Sequence, residues 1–195
     1  MLLRDYVFWD RGVPPHVCDQ IVKYGTGQPS GQAGLGNKDG IKTSFNKKIR
    51  DAEIGWLKAP WILDWIKEPA LRGNRDIFKY NLSGLEDIQF TKYTTGQHYD
   101  WHIDMGESEK STHCRKLSMI IPLTDPSEYT GGEVEFHSLL SPPEGKRKIT
   151  PITKNEFKGQ GTIILFPSII WHRVKPITKG IRYSLVGWWS GPLFT

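Results

Sequence analysis

Cysteine is scarce: Cys18 and Cys114 are the only two in 195 residues. No short Cys spacing links them, so a disulfide framework and a thiolate metal site are excluded. Free thiols in a reducing compartment are expected. No stretch approaches the roughly eighteen apolar residues that a membrane-spanning helix needs. The opening MLLRDYVFWD carries charges early and has no apolar core, so it does not read as a signal peptide, and a cytoplasmic location is expected. There is no internal repeat and no low-complexity tract. The glycine-rich GTGQPSGQAGLGNKDG lacks the Gly-Lys-Ser/Thr ending of a phosphate loop and reads as a mobile surface loop.

What is present describes a globular chain: 37% hydrophobic and 24% charged residues are too apolar and too balanced for disorder. The length suits one domain with a sizeable core. Aromatic residues are plentiful, with 8 Trp, 7 Tyr and 8 Phe, as a β-rich core or an aromatic-lined pocket requires. The net charge of +5 is modest but uneven: Glu144 to Arg182 holds nine Lys/Arg against two Glu. That stretch is either a solvated basic face or a groove for an acidic partner.

Along the chain, YVFWD reads as a short strand. PPHVCDQIVKYG reads as a helix with prolines in its first turn, an apolar stripe of Val17, Ile21 and Val22, and a stop at Gly25. SFNKKIRDAEIGWL is expected to be extended and then to turn. APWILDWIKEPALRGNRDIF reads as one helix, or as two broken near Pro69. From Leu85 the texture changes to short β-branched or aromatic runs punctuated by Gly, Pro, Asp and Ser: EDIQFTKY, RKLSMIIPLTD, GEVEFH, GTIILFP, IIWHRV and IRYSLVGWW. The expected fold is mainly β, with residues 1–84 a helical and looped buttress and 85–190 a barrel or jelly roll of seven or eight strands.

The chemistry lies in the β-rich part. His102-Ile103-Asp104 follows TKYTTGQHYDW, and residues two apart on an extended strand point the same way. His172 is distant in sequence, in GTIILFPSIIWHRV. Two imidazoles and one carboxylate on one face of an octahedral ion suit non-haem Fe(II) and leave positions open. Arg182 follows His172 by ten residues. Its forked guanidinium cannot deprotonate and matches a carboxylate, so it is placed to anchor a dicarboxylic co-substrate. Ser184 shares its strand face and is either a second donor to that carboxylate or an ordinary strand serine. Tyr99 and Trp101 either line a substrate entrance or pack. His98 reads as a polar surface residue, Gly131-Gly132-Glu133 as a structural turn, and His113 and His137 carry no role.

The motifs QFTKYTTGQHYDWHID, LSMIIPLTDPSEYTGGEVEF and GTIILFPSIIWHRVKPITKGIRYSLVGWW occur in an order that resembles the Fe(II)- and 2-oxoglutarate-dependent dioxygenases. The similarity is greatest to the prolyl 4-hydroxylase-like branch, which includes bacterial PKHD-type hydroxylases. The resemblance implies a double-stranded β-helix, His102, Asp104 and His172 as iron ligands, Arg182 as the 2-oxoglutarate anchor, Tyr93 as a hydrogen-bond donor to that co-substrate, and Trp188 in its pocket. It also implies a mobile lid at Met105–Cys114. Fe(II), 2-oxoglutarate and dioxygen are then required, with ascorbate in support. An intact Asp104 speaks against halogenation, because halogenating relatives lack that carboxylate. Hydroxylation of a prolyl residue in a peptide or protein is the expected activity. A free amino acid, a small metabolite or alkylated nucleic acid is the alternative substrate, and a non-catalytic metal-binding barrel the remaining reading. Against nucleic-acid repair, alkylated-base demethylases carry a second arginine six residues after the anchor, where this chain has Trp188.

Overall fold

The computed structural model describes residues 5–34, 45–106, 112–137 and 152–193. In chain order its elements are β1 (Val7–Trp9), α1 (Pro15–Thr26), β2 (Ser30–Gln32), β3 (Arg50–Asp51), β4 (Glu53–Leu57), α2 (Pro60–Gly73), β5 (Gly84–Leu85), β6 (Ile88–Tyr93), β7 (His98–His102), β8 (His113–Pro122), β9 (Tyr129–Gly131), β10 (Val134–Phe136), β11 (Ile163–Pro167), β12 (His172–Val174), β13 (Ile177–Gly180) and β14 (Arg182–Pro192). A large antiparallel sheet runs β1-β11-β8-β14-β6-β4-β2, with β5 also paired to β14. A smaller sheet runs β10-β12-β7-β3, and β13 pairs β9 in a ribbon. The two sheets face each other as the expected jelly roll, a double-stranded β-helix. Among the described residues, no helix is long and apolar enough to cross a membrane.

The period-two pattern of the large sheet creates two cores. On β8, Leu117, Met119 and Ile121 face outward, as do Ile163 and Leu165 on β11 and Phe90 on β6. They meet Val17, Cys18 and Ile21 of α1 and Ile62, Ile66 and Ala70 of α2. The alternate residues Ile120, Ile164, Phe166 and Tyr93 face inward and pack against Val134, Phe136 and Val174 of the small sheet. One sheet therefore holds the helices on its back and the cavity on its front.

Several local expectations are corrected or decided. Residues 1–84 hold the strand β1 expected from YVFWD, and β2, β3 and β4 join the two sheets as well, so this part is more than helix and loop. The helix α1 does not stop at Gly25 but ends at Thr26, with Gly27 as cap. Gly25 instead lets the helix seat on Phe90: a Cβ there would lie 2.8 Å from three carbons of the ring. Pro69 does not break α2, which continues to Gly73 and then widens into a π-type turn over Asn74–Phe78. The segment after Phe45 turns first and extends afterwards. In the glycine-rich stretch, Ser30–Gln32 is an edge strand on β4, so residues 25–34 are not simply a loop. Residues 35–40 of that loop, and residues 107–111 of the lid expected at Met105–Cys114, lie outside the described residues.

The Gly131-Gly132 turn is structural. Gly131 has φ 83°, and a Cβ there would strike the Pro176 carbonyl oxygen. By contrast, a Cβ on Gly31 meets nothing within 4 Å. Gly131→Ala is expected to lower unfolding stability by at least the roughly 1–3 kcal/mol of a forced left-handed residue. Gly31→Ala is expected to stay within about 0.5 kcal/mol of the parent. Urea melts of both variants check this, and equal midpoints would refute it.

Candidate active site

His102, at the end of β7, and His172, at the start of β12, are directly paired across the small sheet. Their ring centroids are 4.1 Å apart. Asp104 does not continue the strand, because β7 ends at His102 and the carboxylate sits on the bend beyond. The amides of Asp104 and Met105 both donate to the Ser168 carbonyl at 3.0 Å, which fixes that bend. The Asp104 oxygens lie 3.7 Å from His102 Nε2 and 3.5 Å from His172 Nε2. These gaps leave space for a shared ion instead of closing into hydrogen bonds of good geometry.

The protonation pattern follows from the partners. His102 Nδ1 bonds the Asp100 carbonyl at 2.8 Å, and His172 Nδ1 bonds the Ile170 carbonyl at 3.0 Å. A carbonyl only accepts, so each Nδ1 carries the proton and each Nε2 offers a lone pair toward Asp104. Burial pushes the His102 imidazole down to about 3, with His172 beside it adding to the effect. Burial alone pushes Asp104 up. Positive charge on the imidazoles, where they are protonated, and the nearby Trp188 indole outweigh it and hold the carboxyl near 2. Two neutral nitrogens and an ionised carboxylate with a buried, unpartnered Oδ2 therefore converge, a donor set that fits a divalent metal and non-haem Fe(II) in particular.

The triad opens into a cavity of about 570 Å³. Arg182 lines it and is only 1% exposed. Its Nη1 donates to Ser184 Oγ at 3.1 Å, while its Nε and Nη2 have no partner. Tyr93 is its direct neighbour on β6, with the ring 5.8 Å from the guanidinium. Trp188 lines the same cavity; its Nε1 lies near Asp104 but makes no hydrogen bond of good geometry. Buried, unsatisfied donors clustered in one cavity suit an anionic ligand that brings its own acceptors.

Of the two aromatics proposed for the entrance, the structure brings in only Tyr99. Its ring stacks on His102 at 3.4 Å. Trp101 points away and packs on His137 at 4.2 Å and under the Arg173 guanidinium at 4.7 Å. The reason is a bulge: four residues of β7, Tyr99 to His102, oppose three of β12, His172 to Val174. The extra residue puts Tyr99 and His102 on one face and leaves Trp101 on the other. His98 is not a ligand, because its ring nitrogens contact the carbonyls of Lys48 and Gly96.

The sequence reading missed Arg50, Gln89 and Arg115, all on the cavity wall. Arg115 shares a face with Ser118 only because β8 carries its own bulge, where Arg115 to Leu117 opposes the single step from Ser190 to Trp189. Its guanidinium lies 3.9 Å over Trp188 and forms a forked pair with Glu86. The basic C-terminal stretch is partly neutralised: Arg173 pairs with Glu135, and Lys158 and Lys175 with Glu133. Residues 138–151 of that stretch lie outside the described residues.

The depressed His102 value has a stability consequence. The unfolded chain takes up this proton near the ordinary 6.5, whereas the folded chain waits until about 3. His102 therefore supports the metal-free fold above pH 6.5 and loses that contribution as the pH falls toward 3. His102→Gln should flatten the loss of unfolding free energy between pH 6.5 and 4. Urea melts in EDTA check this, and identical slopes would contradict it.

The 2OG-Fe(II) oxygenase superfamily profile matches residues 88–190. A PKHD-type hydroxylase of Rippkaea orientalis is 34% identical over 105 residues, covering 53% of this chain and 42% of the relative. The chain thus spans less than half the length of that curated relative. Among solved structures, a prolyl-4-hydroxylase of Pseudomonas putida superposes with TM-score 0.69 at 17% identity, over 95% of this chain and 91% of the other. A prolyl hydroxylase of Trichoplax adhaerens, solved with a peptide fragment of the hypoxia inducible factor oxygen degradation domain, gives 0.66 at 18% identity, over 95% and 83%. These low identities speak for the fold alone. The matched segment, however, includes all of His102, Asp104 and His172 and the buried arginine behind them, and the chain belongs to the 2OG-Fe(II) oxygenase superfamily.

Proposed function

We propose that this chain is a hydroxylase in which His102, Asp104 and His172 hold Fe(II), and that it acts on a prolyl residue of a peptide or protein. Arg182 carries the proposal. A guanidinium that is 1% exposed, with two unpartnered nitrogens, lines the same cavity as the triad. Its fork fits the distal carboxylate of 2-oxoglutarate, with Ser184 and Tyr93 beside it. Bound Fe(II), with 2-oxoglutarate and dioxygen, supplies the oxidising power that yields succinate, carbon dioxide and a hydroxylated carbon, and ascorbate keeps the metal reduced. The protein's part is placement. The two carbonyl-fixed imidazoles and Asp104 present three donors from one side and leave the cavity side free. Arg182 and Ser184 orient the co-substrate by its far end. Tyr99, stacked on His102, limits approach on the flank.

The prolyl reading draws on what the prolyl hydroxylase structural neighbours are named for, and on the walls of the cavity. Ile54, Ile120, Val174 and Val186 are apolar, and the half-exposed Trp56 sits among them. A proline ring has no charge to hold, so such walls and the flanking peptide must supply the affinity.

Two measurements test this. Arg182→Ala should weaken 2-oxoglutarate binding to the Mn(II)-loaded protein by roughly 30-fold or more, the effect of truncating one partner of a buried charge pair. Its metal affinity should stay near that of the parent, and equal 2-oxoglutarate affinity in both proteins would remove the anchor assignment. Mass spectrometry with Fe(II), 2-oxoglutarate and ascorbate should find one added oxygen on proline-containing peptides, abolished by His102→Ala or Asp104→Ala. Turnover of methylated oligonucleotides or free amino acids, with none on peptides, would overturn the substrate.

A further inference from the structure

The cavity holds a second guanidinium that the family reading does not use. Arg50, on β3, is paired with Tyr99 of β7 and faces the same side. Its Nη1 donates to the Gly34 carbonyl at 3.0 Å and its Nη2 to Gln89 Oε1 at 3.2 Å. Gln89 is itself buried and donates to Thr91 Oγ1 at 2.8 Å, so a chain of hydrogen bonds holds the arginine in place. The guanidinium lies 4.5 Å over the ring of Tyr99, which stacks in turn on the metal-site residue His102. Its Nε is buried and has no partner.

A guanidinium offers five N–H donors, and the two bonds above use two, leaving three. Among the described residues no carboxylate lies within ion-pair distance of Arg50, whereas Arg115 on the same cavity wall is matched by Glu86. Arg50 is half-buried with its Nε fully shielded, so the missing counter-charge costs it part of what full burial would, and the group cannot escape by losing its proton. In the proposed function the larger imbalance at the fully buried Arg182 is met by the co-substrate. At Arg50 the co-substrate is not available, because its distal carboxylate is already assigned to Arg182. The remaining ligand of the cavity is the substrate.

We infer that the substrate carries a carboxylate close to the residue that is oxidised, and that Arg50, held by Gln89 and Gly34 beside Tyr99, pairs with it. The inference rests on the proposed function and narrows it. The substrate is an acidic species, carrying either a free C-terminal carboxylate on the proline itself or an Asp or Glu side chain next to it. A neutral proline-containing stretch would leave Arg50 without a counter-charge, and a basic one would be repelled.

The test uses the Mn(II)-loaded protein saturated with 2-oxoglutarate, so that Arg182 is already occupied. Tryptophan fluorescence follows the titration of four probes: N-acetylproline, its neutral amide, and acetyl-Pro-Glu-amide against acetyl-Pro-Gln-amide. The acid of at least one pair is expected to bind tenfold or more tighter than its neutral partner. The pair that shows the preference identifies a terminal or a side-chain carboxylate. Arg50→Gln should erase that preference by weakening the acid and leaving the neutral probe unchanged. Arg50→Lys, which keeps the charge, should retain part of it. A fold-wide disturbance would weaken both members of a pair alike, so it cannot imitate this result. Failure of 2-oxoglutarate to saturate the protein would defeat the proposed function, and this inference with it. Saturation without any acid preference, or a preference that survives Arg50→Gln, would overturn the inference alone.

Discussion

Side chains alternate along a strand, and a bulge resets the alternation. The cavity of this protein depends on two such resets. The bulge in β7 turns Tyr99 to the same face as His102, and through the β3–β7 pairing it brings Arg50 there as well. The bulge in β8 turns Arg115 inward although Leu117, two residues on, packs against the helices. With strict alternation the His102–His172 pair would remain, but the polar groups around it would be distributed differently. The donor geometry then follows from local backbone contacts: Asp100 and Ile170 set the imidazole tautomers, and Ser168 sets the Asp104 bend.

Among the described residues, Arg50 and Arg182 both face the cavity with no carboxylate within ion-pair distance. The described surface pairs its cations freely, as at Arg173–Glu135 and Lys92–Glu53. The interior does not. Removing an ion from water costs of order several kcal/mol unless a partner compensates. An interior carboxylate on Arg182 would relieve that cost and close the site to an anionic ligand. The cavity thus carries an electrostatic deficit, in keeping with the stability that strained or polar functional sites commonly forgo.

Much of this was legible in the sequence. The runs from EDIQFTKY to IRYSLVGWW appear as β6, β8, β10, β11, β12 and β14, because alternation and β-branching act locally. The order of His102, Asp104, His172 and Arg182, together with the runs around them, carried the resemblance to the family. The roles of Tyr99 and Trp101 were not readable, since periodicity cannot reveal a bulge that exists only relative to a partner strand. Arg50 was invisible for a related reason. In KKIRDAE nothing marks one cation from its neighbours, and only pairing with a strand about fifty residues away brings it to the site. Pro69 left one helix or two open, because a proline costs a helix one hydrogen bond, which tertiary packing of Ile62, Ile66 and Ala70 can outweigh.

Gly25 seats α1 directly on the ring of Phe90, and Phe90 stands on β6 between Gln89 and Thr91, which hold the Arg50 chain on the opposite face. The thickness of a single strand separates the helix from the cavity. A bulkier residue at position 25 would lift the helix or press on the strand, and the second displacement would reach Gln89 without any atom of α1 entering the site. The outer helix thereby acts as a backing plate, and tolerance to variation on the far side of the sheet is set by the registration of polar groups on the near side.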